Sequence, residues 1–251
     1  MPSLAQHFIE PATKIGECRV FYHLYRQDWV VNARSGEAAA MPTNAYAPFA
    51  AFDGELEAPD RCLERWRFDR ICEFGDHYRD EFRSIRNLVH QLHSTRQVTA
   101  RLTAWQPDVV LYVRPDLYYQ DEPQPETIEG LHHHPERCIV PDWHWWGGYN
   151  DRFAFCGAAV YQAYGNRIEQ AIEFSEQTGR PLQAERLVRY ALRRAGASVR
   201  TTAIRANRVR VDGQIKPENF STQATAGSVR RRVEIVWLHA LTLLSTLSGF
   251  L

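Results

Sequence analysis

The sequence predicts an α/β fold, and three observations carry that expectation. Runs rich in β-branched and aromatic residues alternate with stretches of helical periodicity. Val109–Val113 is a short, continuous apolar run, the pattern of a strand covered on both faces and paired in parallel. Of the 251 residues, 44% are hydrophobic and 24% charged, which supports a buried core and excludes disordered and collagen-like chains.

Taken in order, Ser3–Gly16 reads as a helix with Ser3 as its cap and Pro11 limiting it. Arg19–Tyr25 reads as a strand, and Asp28–Pro48 as a polar, Ala-rich connection with a short strand after it over Pro48–Asp53. Asp60–Phe74 and Arg79–Ala104 carry apolar residues at helical spacing, among them Phe82, Ile85, Leu88, Val89 and Leu92. Trp105–Asp108 is a turn, and Pro123–Pro135 is read as loop. Cys138–Val140 restarts a strand, and Asp142–Phe155 is an aromatic loop leading into another. Ala158–Gln177 and Pro181–Ala195 read as helices closed by Gly179 and Gly196. Val199–Ile204 and Val209–Val211 complete the strands.

The net charge of zero hides an asymmetry. Residues 1–179 hold 17 Lys and Arg against 26 Asp and Glu, whereas residues 180–251 hold 13 against 4. A basic C-terminal third suits phosphates, anionic lipid or the acidic half of the same chain. Lysine occurs only at Lys14 and Lys216, so contacts to carboxylate or phosphate fall to planar, bidentate arginine. The five cysteines include no CxxC pair, which disfavours a zinc ribbon or disulfide framework.

Five segments could carry chemistry. Val109–Val113 runs out into Arg114-Pro115-Asp116. Ligands of open α/β sheets gather at strand ends, where a carboxylate can share a divalent cation with a diphosphate and an arginine can fork onto its oxygens. The bland alternative is a surface ion pair. Trp143, Trp145 and Trp146 precede Gly147-Gly148-Tyr149-Asn150-Asp151-Arg152, a mixture of flat aromatic faces and polar groups that suits a sugar or, equally, an aromatic corner of the core. His132-His133-His134 with His144 offers imidazoles, but consecutive loop residues point apart. Glu185 sits in a helix, as a base or as a partner for Arg189. Arg230–Arg232 precede the apolar Ile235–Leu251, which reads either as an amphipathic helix on a membrane surface or as a helix packed on protein. Walker A, GxGxxG and GxSxG patterns do not occur, nor does a motif of a nucleic-acid reader.

Together, RVFYHLY, DVVLYVRPDLYY, WGGYNDRFAF and QAERLV resemble the small GT-A glycosyltransferases of bacterial capsule and surface-polysaccharide gene sets and of large algal viruses, over about residues 4–212. The resemblance implies a mixed, mostly parallel sheet flanked by helices. Residues 1–227 would form the transferase domain and residues 228–251 a basic, hydrophobic C-terminal helix. The family's first strand finds no counterpart, so the sheet is expected to lack it. Asp116 would bind Mn²⁺ or Mg²⁺. Arg114, Asp116, Gln91 and Arg152 would bind the nucleotide-sugar donor. Trp146, Gly147, Gly148, Tyr149 and Asn150 would face the sugar or the saccharide acceptor, and Asp151 or Glu185 would be the base. The expected function is sugar transfer in polysaccharide assembly, in the cytoplasm or at the inner face of a membrane touched through 230–251, with no nucleic-acid partner. The alternative is a truncated, non-catalytic relative that binds a sugar or nucleotide. A metal hydrolase using His132–His134 and Asp142 is a third and weaker reading.

Overall fold

The computed structural model describes residues 2–32 and 36–220. The expected C-terminal helix therefore lies outside the described residues. The chain is mixed α/β, but its sheets are small.

The chain begins with a continuous helical stretch. It comprises α1 (Pro2–Leu4), a π turn (Ala5–Ile9) and α2 (Glu10–Ile15). Ser3 is not its cap; its hydroxyl instead accepts the backbone N–H of Tyr119. Pro11 does not end the helix either, because it stands in the first turn of α2, directly after the π turn, where a missing donor costs little. Strand β1 (Phe21–Tyr25) pairs in parallel with β4 (Asp53–Glu57). Between them the Ala-rich connection folds into an antiparallel hairpin, β2 (Trp29–Asn32) and β3 (Glu37–Ala40), which pattern reading had left unstructured. The helix expected over Asp60–Phe74 is two short ones, α3 (Arg61–Arg65) and α4 (Phe68–Cys72), broken where Arg67 adopts φ 51°.

Helix α5 (Arg83–Thr103) is long and amphipathic. Its buried face, Ile85, Leu88, Val89 and Leu92, packs with Leu182 and Leu187 in one core. Strand β5 (Val109–Tyr112) follows, then β6 (Leu117–Tyr119). The segment read as loop contains α6 (Pro125–His133), with Pro125 in its first turn and Glu126 beside it. Strands β7 (Arg137–Pro141), β8 (Ala154–Gly157) and β9 (Ser198–Thr202) complete a four-stranded sheet in the order β5-β8-β7-β9. Only β7 and β9 pair in parallel there; β8 runs antiparallel to both its neighbours. The expectation of a mostly parallel sheet, and of a parallel β5, is thus corrected. An apolar run reports burial on two faces but not the direction of the neighbouring strand. Helices α7 (Tyr161–Gly165), α8 (Ala171–Thr178) and α9 (Ala184–Arg194) pack against α5 and this sheet, with Gly179 and Gly196 in left-handed conformation after the last two. Strand β10 (Ala206–Val209) lies between β6 and β11 (Ile215–Lys216).

Among the described residues β1 pairs only with β4, and β5 only with β8. A groove of about 1010 Å³ runs between their remaining edges, lined by all of β1 and all of β5. Alternate β5 residues serve two cores: Val110 and Tyr112 pack with Val98 of α5, and Val109 and Leu111 pack towards Leu4 and Phe8 of the N-terminal helix.

Candidate functional site

At one end the groove meets a chain of polar side chains drawn from three segments. Arg114, just past β5, forks onto Asp116: Nε donates to Oδ1 at 2.9 Å and Nη2 to Oδ2 at 2.7 Å. Its Nη1 donates to Oε1 of Gln91 on α5 at 2.7 Å. Gln91 in turn donates from Nε2 to Asp151 Oδ2 at 2.9 Å. Arg114, Asp116, Gln91, Asp151 and Arg152 all line the groove. The structure therefore brings the expected donor residues together with one of the two expected bases.

Glu185, at the start of α9, stands behind Asp151 and does not line the groove. Burial, reinforced by the negative charge of Asp151, pushes its carboxyl up to about 8. Glu185 is accordingly protonated at neutral pH and suits a hydroxyl donor better than a base. Its position depends on Gly148, where a Cβ would overlap the Glu185 carbonyl, and on Tyr149 N–H, which donates to that carbonyl at 2.9 Å.

The remaining tryptophan-loop residues divide. Asn150 is fully buried and committed to its own loop: Nδ2 donates to Trp143 O at 2.7 Å, and Oδ1 accepts from Arg152 N at 2.8 Å. Trp143 is core, donating to Ile204 O, and Trp145 donates to Pro141 O. Trp146 and Gly147 are exposed, and Tyr149 packs edge-on against Trp145. None of Trp146–Asn150 lines the groove. Asn150, by accepting the backbone N–H of Arg152, sets the turn that leads to the groove mouth.

Pattern reading missed Arg208, on β10. Three guanidiniums gather around Asp116, those of Arg114, Arg152 and Arg208. Burial, then Arg152 and Arg114, lower Arg208 to about 10; Asp116 opposes them with a smaller effect. Burial would raise Asp116, but Arg114 foremost, with Arg208 and Arg152, holds it far below the usual carboxylate range. Nε of Arg208 and Nη1 of Arg152 are buried with no hydrogen-bond partner. The net positive charge of residues 180–251 was the available signal for Arg208.

Two other clusters carry the residue types of metal centres. His132 and His133 end α6 and His134 follows; all three are exposed and do not converge. Deeper in, ligand atoms of His23 (β1), Glu57 (β4) and His93 (α5) lie within 4.8 Å of one another. Trp66 Nε1 donates to His93 Nδ1 at 2.9 Å. An indole only donates, so the proton of the neutral imidazole sits on Nε2, which faces Glu57 Oε2 at 3.0 Å. The lone pair that a metal needs is thus already on the other nitrogen, and His93 is hydrogen-bonded at both nitrogens without an ion. His23 Nε2 reaches the same oxygen at 3.0 Å, off the hydrogen-bond direction, and its Nδ1 meets Ser94 Oγ at 3.0 Å.

No protein-family model, curated protein or solved structure matches the chain. Among the described residues no helix is long and apolar enough to cross a membrane.

Proposed function

We propose that the chain transfers a sugar from a nucleotide-sugar donor to a saccharide acceptor. One observation carries the reading: a groove of about 1010 Å³ is lined at its polar end by Arg114, Arg152 and Asp151, with the half-buried Arg208 near Asp116 but outside the lining. That volume accommodates a nucleotide-sugar. Guanidinium groups at its end suit the diphosphate. Asp151, next to them, is the candidate base for the acceptor hydroxyl. Gln91 bonds both Arg114 and Asp151, so it sets the distance between the leaving group's partner and the base. Glu185, protonated behind Asp151, keeps a second negative charge out of the site.

The family resemblance implies Mn²⁺ or Mg²⁺ on Asp116, and the residues present do not fit it. Both Asp116 oxygens accept from Arg114. A divalent cation there would stand among three guanidiniums, and Glu218 nearby already faces Arg152 at 3.6 Å.

The test is calorimetric titration of the full chain with UDP-, GDP- and dTDP-sugars, followed by transfer assays with any that bind. Asp151→Asn is expected to leave donor affinity within about twofold and lower transfer about 10²–10³-fold. Unchanged transfer in that variant would remove Asp151 from the chemistry. The second reading, a non-catalytic binder, is favoured by the open gap between β1 and β5. Donor binding with neither transfer nor hydrolysis would select it.

A further inference from the structure

We infer that the arginine cluster itself, Arg114, Arg152 and Arg208 without a divalent cation, receives the diphosphate of the ligand. The inference rests on the donor-site reading above and deepens it.

The geometry is specific. Arg114 is committed: two of its nitrogens hold Asp116 and a third holds Gln91. This fixes its plane at the groove mouth. Arg208 and Arg152 are not committed to the same degree. Arg208 has a buried Nε with no acceptor. Arg152 has a buried Nη1 with no acceptor, and its Nη2 lies 3.6 Å from Glu218 Oε1, beyond hydrogen-bond distance. Burying an N–H without an acceptor is costly, and burying two on neighbouring cations is costlier. An anion with several oxygens can accept from Arg152, which lines the groove, and it offsets the mutual repulsion of all three guanidiniums, Arg208 acting from beside Asp116 outside the lining. The carboxylates already present, Asp116, Asp151 and Glu218, leave those two nitrogens without a partner. In a transfer reaction the bond between the sugar carbon and the diphosphate oxygen breaks, and its electron pair stays on that oxygen. Fixed guanidiniums would meet the developing charge in the role otherwise given to a metal.

The metal and arginine mechanisms make opposite predictions for Asp116. If Asp116 holds a cation, Asp116→Asn loses diphosphate affinity. If Asp116 serves only to orient Arg114, removing its charge leaves more positive potential for the ligand. The experiment is titration of the full chain with inorganic pyrophosphate, in EDTA and in Mg²⁺. The expected result is the same affinity within about twofold in both buffers. Asp116→Asn should bind two- to tenfold more tightly, and Arg208→Ala at least tenfold more weakly. Circular dichroism and a thermal melt establish that each variant is folded, and Asp116→Asn remains decisive should Arg208→Ala not fold. Binding that needs Mg²⁺ and disappears in Asp116→Asn would overturn the arginine clamp while leaving the transferase reading intact. Failure of pyrophosphate and of every nucleotide-sugar to bind under either condition would overturn both.

Discussion

Two buried polar clusters lie along α5, and they differ in how their hydrogen bonds are matched. In the hub of His23, Glu57 and His93 three of the four ring nitrogens are hydrogen-bonded, to Ser94, Trp66 or Glu57, and the fourth, His23 Nε2, lies 3.0 Å from the Glu57 carboxylate but off the hydrogen-bond direction. At the groove mouth, Arg152 and Arg208 each keep a buried N–H with no acceptor. In the hub the one orphaned nitrogen already faces a carboxylate, whereas at the mouth the orphaned N–H groups belong to cations that an anion would suit. The contrast supports the proposal that the mouth, and not the hub, meets a ligand, although the hub's residue types are the better match to a metal-site pattern.

The sharpest way to break this comparison is at Glu57. Glu57→Ala leaves two buried imidazoles facing no acceptor, and urea denaturation is expected to show a loss of about 3 kcal/mol. Pyrophosphate affinity should stay as it was. A loss of affinity comparable to that of Arg208→Ala would mean that the two clusters are one site.

Acidity should separate the clusters by the sign of their effect. Burial lowers His23 and His93 despite the opposing charge of Glu57. The unfolded chain takes up those protons first, so the hub loses stability as pH falls below about 6.5. Glu185 behaves in the opposite way. Between 4.5 and about 8 the folded chain keeps a proton that the unfolded chain has released, so stability falls as pH rises through that window. Glu185→Gln should remove the alkaline slope and stabilise the protein at pH 8.5 by on the order of 2 kcal/mol. Melting curves from pH 5 to 9 that keep the slope in the variant would assign it elsewhere.

The smallest effect concerns Arg208 without ligand. Replacing it by leucine removes a buried cation crowded by two others, so stability should rise by about 1 kcal/mol as binding is lost. A fall as large as that of Glu57→Ala would show that Arg208 is structural.

The regular elements were legible where one physical signal dominates. The apolar stripe of α5, the β-branched run of β5 and the glycines after α8 and α9 stand where periodicity and backbone preference place them. Three features hid for physical reasons. The β2–β3 hairpin is built partly from alanines, whose strand preference is weak and is overridden by pairing. Helix α6 was masked by flanking prolines, although Pro125 with Glu126 is a helix start. The antiparallel direction of β8 depends on the route of the chain and not on side-chain pattern. Of the site, Arg114 and Asp116 were legible at a strand end and Asp151 and Arg152 as polar groups after the tryptophans, while Gln91 entered only through the family resemblance. Arg208 was not, because only the register of β10 against β6, with Arg208 opposite Leu117, carries it beside Asp116.

The interruption between β1 and β5 bears on how the molecule moves. Among the described residues no backbone ladder crosses it, and α5, whose side chains serve the cores on both sides, ties the two strand groups together. A helix acting as a strut permits small rotations that a continuous sheet would resist. Gln91 rides on that strut and holds both Arg114 and Asp151. Breathing of the two halves would therefore register directly as a change in the spacing of the diphosphate clamp and the base, and a ligand gripping the arginines would quiet it. Slowed amide exchange along the facing edges of β1 and β5 would be its imprint.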